Sequence, residues 1–133
     1  MADETRVPIA SELDIVTARQ QGRGLAAQLG FPLGDQTLIA TAISEVARNI
    51  LQYARRGEVR LELIQQGRLR GIQVVARDDG PGIADIAKAM QDGYSTSGGL
   101  GLGLPGCRRL MDEFDVDTSV GKGTVVTLKK WVR

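Results

Sequence analysis

Glu45 and Asn49 stand four residues apart in a stretch whose apolar residues recur at helical spacing. Side chains four apart lie one above the other on a helix, so a carboxylate and a carboxamide share one flank, beside the apolar stripe. The carboxylate can take a proton or orient a hydroxyl, and the amide oxygen is a neutral, hard donor suited to Mg²⁺. A second acidic group opens Asp78-Asp79-Gly80-Pro81-Gly82, directly after an apolar run. A carboxylate at the end of a strand reaches a ligand over the sheet edge, and the glycines turn the chain without side-chain bulk. The doublet by itself leaves either aspartate as the inward one. Further on, Gly99-Leu100-Gly101-Leu102-Gly103-Leu104 precedes a helical stretch, where backbone amides and the positive helix end cradle phosphates. Gly121-Lys122-Gly123-Thr124 reads as a hairpin turn into the last strand.

Composition narrows the chemistry. The 133 residues include no histidine, which removes Ser-His-Asp and Cys-His sites, imidazole-bound zinc and a phosphohistidine. Acid-base work then falls to carboxylates. The single cysteine, Cys107, can form neither an internal disulfide nor a thiolate cage and reads as a buried core residue. A formal net charge of +1 gives no electrostatic footprint for nucleic acid or an acidic membrane. No apolar run approaches the roughly 18 residues of a spanning helix, and Met1-Ala2-Asp3-Glu4 does not start a signal peptide, so the expected location is the cytoplasm. Glycine, 17 residues, clusters at 80–82, 98–106 and 121–123, as expected where backbone is held close to a ligand. Gly101, Gly103 and Gly106 spell a dinucleotide fingerprint, but a polar loop precedes them and no acidic residue follows about 20 positions on. A Walker loop fails too, because Lys122 is not followed by Ser or Thr and no glycine lies five residues before Gly121.

The elements that must position these residues are legible in outline. Val7 to Ala10 reads as an edge strand, since Pro8 argues against a central one. Asp14 starts a helix over 14–29 that Gly30 stops, and a stronger helix runs from Asp35 to about Ala54 with Ile39, Ile43, Val46 and Ile50 on one stripe. Alternation predicts strands over 58–64 and 71–76, a short helix over 84–91, a polar loop over 92–99 and a helix over 103–113. Strands over 115–119 and 124–132 close the chain. Short turns join 58–64 to 71–76 and 115–119 to 124–132, so those pairs are antiparallel. The expected fold is an α/β, more strictly α+β, two-layer sandwich formed by residues 1–133 as one domain, with a mixed, mostly antiparallel sheet and helices on one face.

Glu45 with Asn49, then Asp78-x-Gly80-x-Gly82, then Gly99-x-Gly101-x-Gly103, then Gly121-x-Gly123-Thr124, in that order, resembles the GHKL ATPase family, whose architecture is the Bergerat fold. That family groups gyrase-type ATPases, a heat-shock chaperone, histidine kinases and mismatch-repair ATPases. The chain as read carries neither the phosphoacceptor helix of a histidine kinase nor the further domain of the ATPases. It is similar instead to the bacterial partner-switching serine kinases, and Leu13 to Gln20, Tyr94 to Gly101 and Leu110 to Phe114 resemble their stressosome branch.

The resemblance implies ATP and Mg²⁺ as cofactors. It implies Glu45 as the base for the acceptor hydroxyl, Asn49 as the Mg²⁺ ligand, and Asp78 as acceptor for the adenine amino group. Gly80, Gly82 and Thr124 would shape the adenine pocket, and Gly99, Gly101 and Gly103 would close over the phosphates. Related anti-sigma kinases have an arginine near the place of Gly99, so Lys88, Arg108 and Arg109 stand as candidates to meet the γ-phosphate. Implied partners are STAS-domain proteins as substrates and a PPM-type phosphatase as the target once released, with room for a homodimer. Two other readings share the site: an anti-sigma factor kinase that sequesters a sigma subunit, and a nucleotide-binding adaptor without transferase activity.

Overall fold

The computed structural model describes residues 4–82 and 103–133. The expected helix at 84–91 and loop at 92–99 lie outside the described residues. The elements are β1 (Glu4–Ile9), α1 (Glu12–Leu29), α2 (Leu33–Ala54), β2 (Gly57–Gln66), β3 (Leu69–Asp78), α3 (Gly103–Leu110), β4 (Glu113–Ser119) and β5 (Gly123–Trp131).

One sheet, in the order β1-β2-β3-β5-β4, carries the helices on one face. Among the described residues all four pairings are antiparallel, where the sequence suggested a mixed, mostly antiparallel sheet. At β1 and β2 the reason is the helix pair between them, since two successive helices return the chain to the end of the sheet it left. β1 is an edge strand, as Pro8 requires. It begins upstream of the expected Val7, because Glu4 to Arg6 continue the register with β2 and the Glu4 carboxylate lies 3.4 Å from the Arg60 guanidinium, diagonally across the pair.

Gly30 ends α1 in the left-handed conformation at φ 90°, with its N–H donating to Ala27 O and that of Phe31 donating to Ala26 O, both at 3.1 Å. At the other end, α1 starts at Glu12 rather than Asp14. Asp14 acts from within the first turn, its Oδ2 accepting the Ala10 N–H at 2.8 Å. α3 ends at Leu110 instead of continuing to 113, because the Asp112 N–H donates to Lys129 O at 2.9 Å and its Oδ2 accepts the Trp131 N–H at 2.8 Å. Those bonds commit the chain to the sheet.

Ile39, Ile43, Val46 and Ile50 are buried in one core with Val59, Leu61, Ile72 and Val74, which fixes the rotation of α2 and therefore the direction of Glu45 and Asn49. α1 approaches α2 closely at Gly22, where a Cβ would overlap the Ile43 side chain. Gly24, two residues on, is exposed, and a Cβ there would have nothing within 4 Å. Thermal or denaturant unfolding is therefore expected to show Gly24→Ala stabilising by about 0.5–1 kcal/mol. The same change at Gly22 is expected to destabilise by about 1–3 kcal/mol through overpacking.

Candidate functional site

Period-two alternation along β3 turns Ile72, Val74, Ala76 and Asp78 toward the helices, so the last inward position of an apolar strand is a carboxylate. Asp78 pairs with Gly57 on one side and Thr124 on the other. It is buried and Asp79 is exposed, which identifies the inward member of the doublet. The Asp78 carboxylate accepts the Gly80 N–H at 2.9 Å and the Thr124 N–H. Burial pushes its pKa above the ordinary aspartate value, against the two backbone hydrogen bonds that pull it down, and the Asp79 charge adds to the rise.

Three glycines make this packing close. A Cβ at Gly80 would stand 2.5 Å from the Ala54 Cβ, so the loop after β3 lies directly on the C-terminal end of α2. Gly82, at φ 78°, abuts the backbone of Ser119, and Gly123, at φ 93°, abuts the Asp78 carbonyl. The Gly121 N–H donates to Pro81 O at 2.7 Å. Two stretches distant in the chain, Asp78 to Gly82 and Gly121 to Thr124, are thus packed against one another and against α2. Thr124 is buried, its Oγ1 2.9 Å from the Oγ1 of Thr118.

Asn49 lies five residues before Ala54, about 7.5 Å along the axis, and Glu45 about 6 Å farther. Asn49 is half-buried. Glu45 is only 6% exposed, in a helix flank covered by α3. Cys107 of α3 donates from Sγ to the Ala42 carbonyl at 3.6 Å. Burial, with the Glu45 charge adding to it, pushes its thiol up to about 12, so Cys107 is an inert core residue. Among the described residues no three acidic or thiol side chains gather into a metal cage. The donor chemistry of Asn49 suits Mg²⁺ held chiefly by nucleotide phosphates, with one neutral protein oxygen.

Asp78, Gly80, Gly82 and Thr124 are therefore brought together at the C-terminal end of α2, which also bears Glu45 and Asn49. Gly103 is the first residue of α3. Gly99, Gly101 and Lys88 lie outside the described residues. Arg108 and Arg109 are exposed in the last turn of α3. A cavity of about 690 Å³ reaches the same sheet end from the β1 side, lined by Arg6, Ala54, Arg56, Gly57, Asp78 and Asp79 among others. Ala54, Gly57 and Thr118 were not singled out from sequence. The signal for Thr118 was alternation, since Phe114, Val116 and Thr118 occupy one face of β4.

The pKa direction at Asp78 has two consequences of opposite sign. A raised folded-state pKa means that the folded protein binds the proton more tightly than the unfolded chain. The contribution to stability is then largest below the ordinary aspartate range and is lost as pH rises through the raised value. A ligand amino group needs the ionised carboxylate, so affinity moves the other way. Titration with adenosine from about pH 8 to pH 4 is expected to show affinity falling before an ordinary aspartate would protonate. Unfolding of the free protein over the same range is expected to lose its Asp78-dependent slope in Asp78→Asn.

A helix-and-sheet sandwich with a buried carboxylate at the end of β3, and Glu45 and Asn49 on the facing helix, has the architecture of the GHKL ATPase fold. The chain belongs to the family of histidine kinase-, DNA gyrase B- and HSP90-like ATPases, which matches residues 34–133. It is 52% identical over the whole of both chains to serine/threonine-protein kinase RsbT of Bacillus subtilis (strain 168). It is 32% identical over 119 residues to an anti-sigma F factor of Caldanaerobacter subterraneus subsp. tengcongensis, covering 86% of this chain and 83% of the relative. The fold is also found in part of a structure that comprises the RsbU and RsbW domains of Rv1364c from Mycobacterium tuberculosis, at TM-score 0.62 and 22% identity, covering 96% of this chain and 32% of that one. The mycobacterial sensor histidine kinase MprB shares it at TM-score 0.58 and 19% identity, over 98% of each chain. The chain is thus a serine/threonine-protein kinase of this family. Among the described residues no helix is long and apolar enough to cross a membrane.

Proposed function

We propose that this kinase is the switch of a bacterial partner-switching stress module, acting in the cytoplasm as a single catalytic domain. In that role it transfers the γ-phosphoryl group of ATP to a serine or threonine of a STAS-domain protein and, once released from it, activates a PPM-type phosphatase. The observation that carries the catalytic part is the convergence of the buried Asp78, the Gly121 to Thr124 turn and the C-terminal half of α2. The full-length relationship to RsbT supports the choice of partner class.

The residues divide the work. Asp78 accepts the adenine amino group, with Gly80, Gly82 and Thr124 forming the walls, and the family resemblance assigns Gly99, Gly101 and Gly103 to the phosphates. Asn49 would hold Mg²⁺ together with the phosphates, and the bound ion would supply charge neutralisation on the transferring group. Glu45 takes the proton of the acceptor hydroxyl as the new P–O bond forms and the bond to the leaving ADP oxygen breaks. Arg108, Arg109 and Lys88 remain the candidates for the γ-phosphate cation.

Incubation of the full chain with labelled ATP, Mg²⁺ and separately a STAS-domain protein and a sigma subunit tests the proposal. Label on the STAS protein and activation of the phosphatase by unmodified chain are expected. The anti-sigma relatives give the competing result its form: stable capture of sigma without STAS phosphorylation overturns the reading. ATP binding with no transfer to any partner would indicate an adaptor.

A further inference from the structure

We infer that Thr118 is a positioning residue for nucleobase selectivity, because it fixes the Thr124 hydroxyl as a hydrogen-bond acceptor toward the base. This rests on the reading of Asp78 and Thr124 as the adenine end of the site. Thr118 of β4 lies directly opposite Thr124 of β5. Its Oγ1 donates to the Gly123 carbonyl at 3.2 Å and is 2.9 Å from the Thr124 Oγ1. A hydroxyl has one proton, and a carbonyl can only accept. With the Thr118 proton on Gly123 O, the contact between the two hydroxyls is donated by Thr124. The only proton of Thr124 is then turned toward β4, and its remaining lone pairs are acceptors.

Thr124 is buried and directly opposite Asp78 across β3 and β5, on the same face of the sheet. The inner corner therefore presents a carboxylate and a hydroxyl oxygen that both accept. An exocyclic amino group brings donors to this corner. A purine carbonyl in the same place brings lone pairs against lone pairs and leaves buried polar groups unpaired. Asp78 enforces part of this choice alone. Thr118 removes the remaining escape, since a released Thr124 hydroxyl would rotate and offer its proton to the carbonyl.

ATP and ITP differ at this position, amino against oxo, and calorimetric titration of the full chain with each gives a selectivity ratio. Thr118→Val keeps the branched shape in the strand and removes only the hydroxyl function. It is expected to lower the ATP-to-ITP affinity ratio by about tenfold or more, chiefly through gain of ITP binding, and Thr118→Ser is expected to restore it to within about twofold. Thr118→Ala serves as the second variant if the valine form does not fold. In a Thr124→Val background, where the hydroxyl acted upon is gone, the Thr118 change is expected to leave the ratio unmoved. A merely structural role would weaken both nucleotides together. An unchanged ratio in a folded variant that still binds ATP, or failure of serine to restore it, overturns the inference alone. A parent chain that binds no ATP overturns it together with the reading of the site.

Discussion

Replacing Glu45 by Gln is expected to slow phosphoryl transfer by roughly 10²–10⁴-fold while leaving Mg²⁺-ATP affinity nearly unchanged. The amide keeps the size of the carboxylate and one of its two acceptor oxygens on the buried flank of α2 that α3 covers, so the helix pair retains its packing. What is lost is the ability to take a proton in the transition state, which concerns the acceptor and not the nucleotide. Asn49, one turn nearer the Asp78 loop, is expected to fail differently. Asn49→Ala removes the neutral oxygen proposed for Mg²⁺, so nucleotide binding and transfer fall together, and the binding loss disappears when titrations are done without Mg²⁺. Single-turnover phosphorylation and nucleotide titration on both folded variants separate these outcomes. Transfer at the parent rate by Glu45→Gln would remove the carboxylate from the mechanism. A flank that merely faced solvent would show changes within about 0.5 kcal/mol and no kinetic effect, but Glu45 is 6% exposed.

The parts of the fold that local physics decides were readable from sequence. The stripe Ile39, Ile43, Val46 and Ile50 is buried as its spacing implies, and Gly30 caps α1 in the left-handed conformation. Both hairpins pair as their short turns require. What was not readable depends on partners distant in the chain. Glu4 to Arg6 is a strand only because β2 supplies the matching register. α3 stops early because Lys129 and Trp131 take the backbone and side chain of Asp112. In the site, each glycine motif was visible as a turn, but the contact of Gly82 with Ser119 and of Gly123 with Asp78 belongs to neither motif alone. The choice between Asp78 and Asp79 was encoded in a simpler way. Carrying the alternation of Ile72, Val74 and Ala76 one step past the expected strand end reaches Asp78, and the same parity on β4 reaches Thr118.

Asp78→Asn is expected to cost adenine-nucleotide affinity about 10- to 100-fold while changing the stability of the free protein by no more than about 1 kcal/mol. The reason is a count of donors. The carboxylate already accepts the Gly80 and Thr124 N–H groups, and a bound amino group is a third donor at the same place. Two oxygens serve three donors with lone pairs to spare. Asparagine has one oxygen, which can satisfy the two backbone donors, and its amide nitrogen then faces the ligand amino group donor to donor. Stability suffers less because the substitution also removes a charge whose burial already raises its pKa. Asp79→Asn, at an exposed position, is expected to leave both quantities within about 0.5 kcal/mol. ATP titration and urea unfolding of the two variants in parallel decide the matter. Loss of affinity in Asp79→Asn with Asp78→Asn unaffected would mean that the exposed carboxylate, and not the buried one, receives the base.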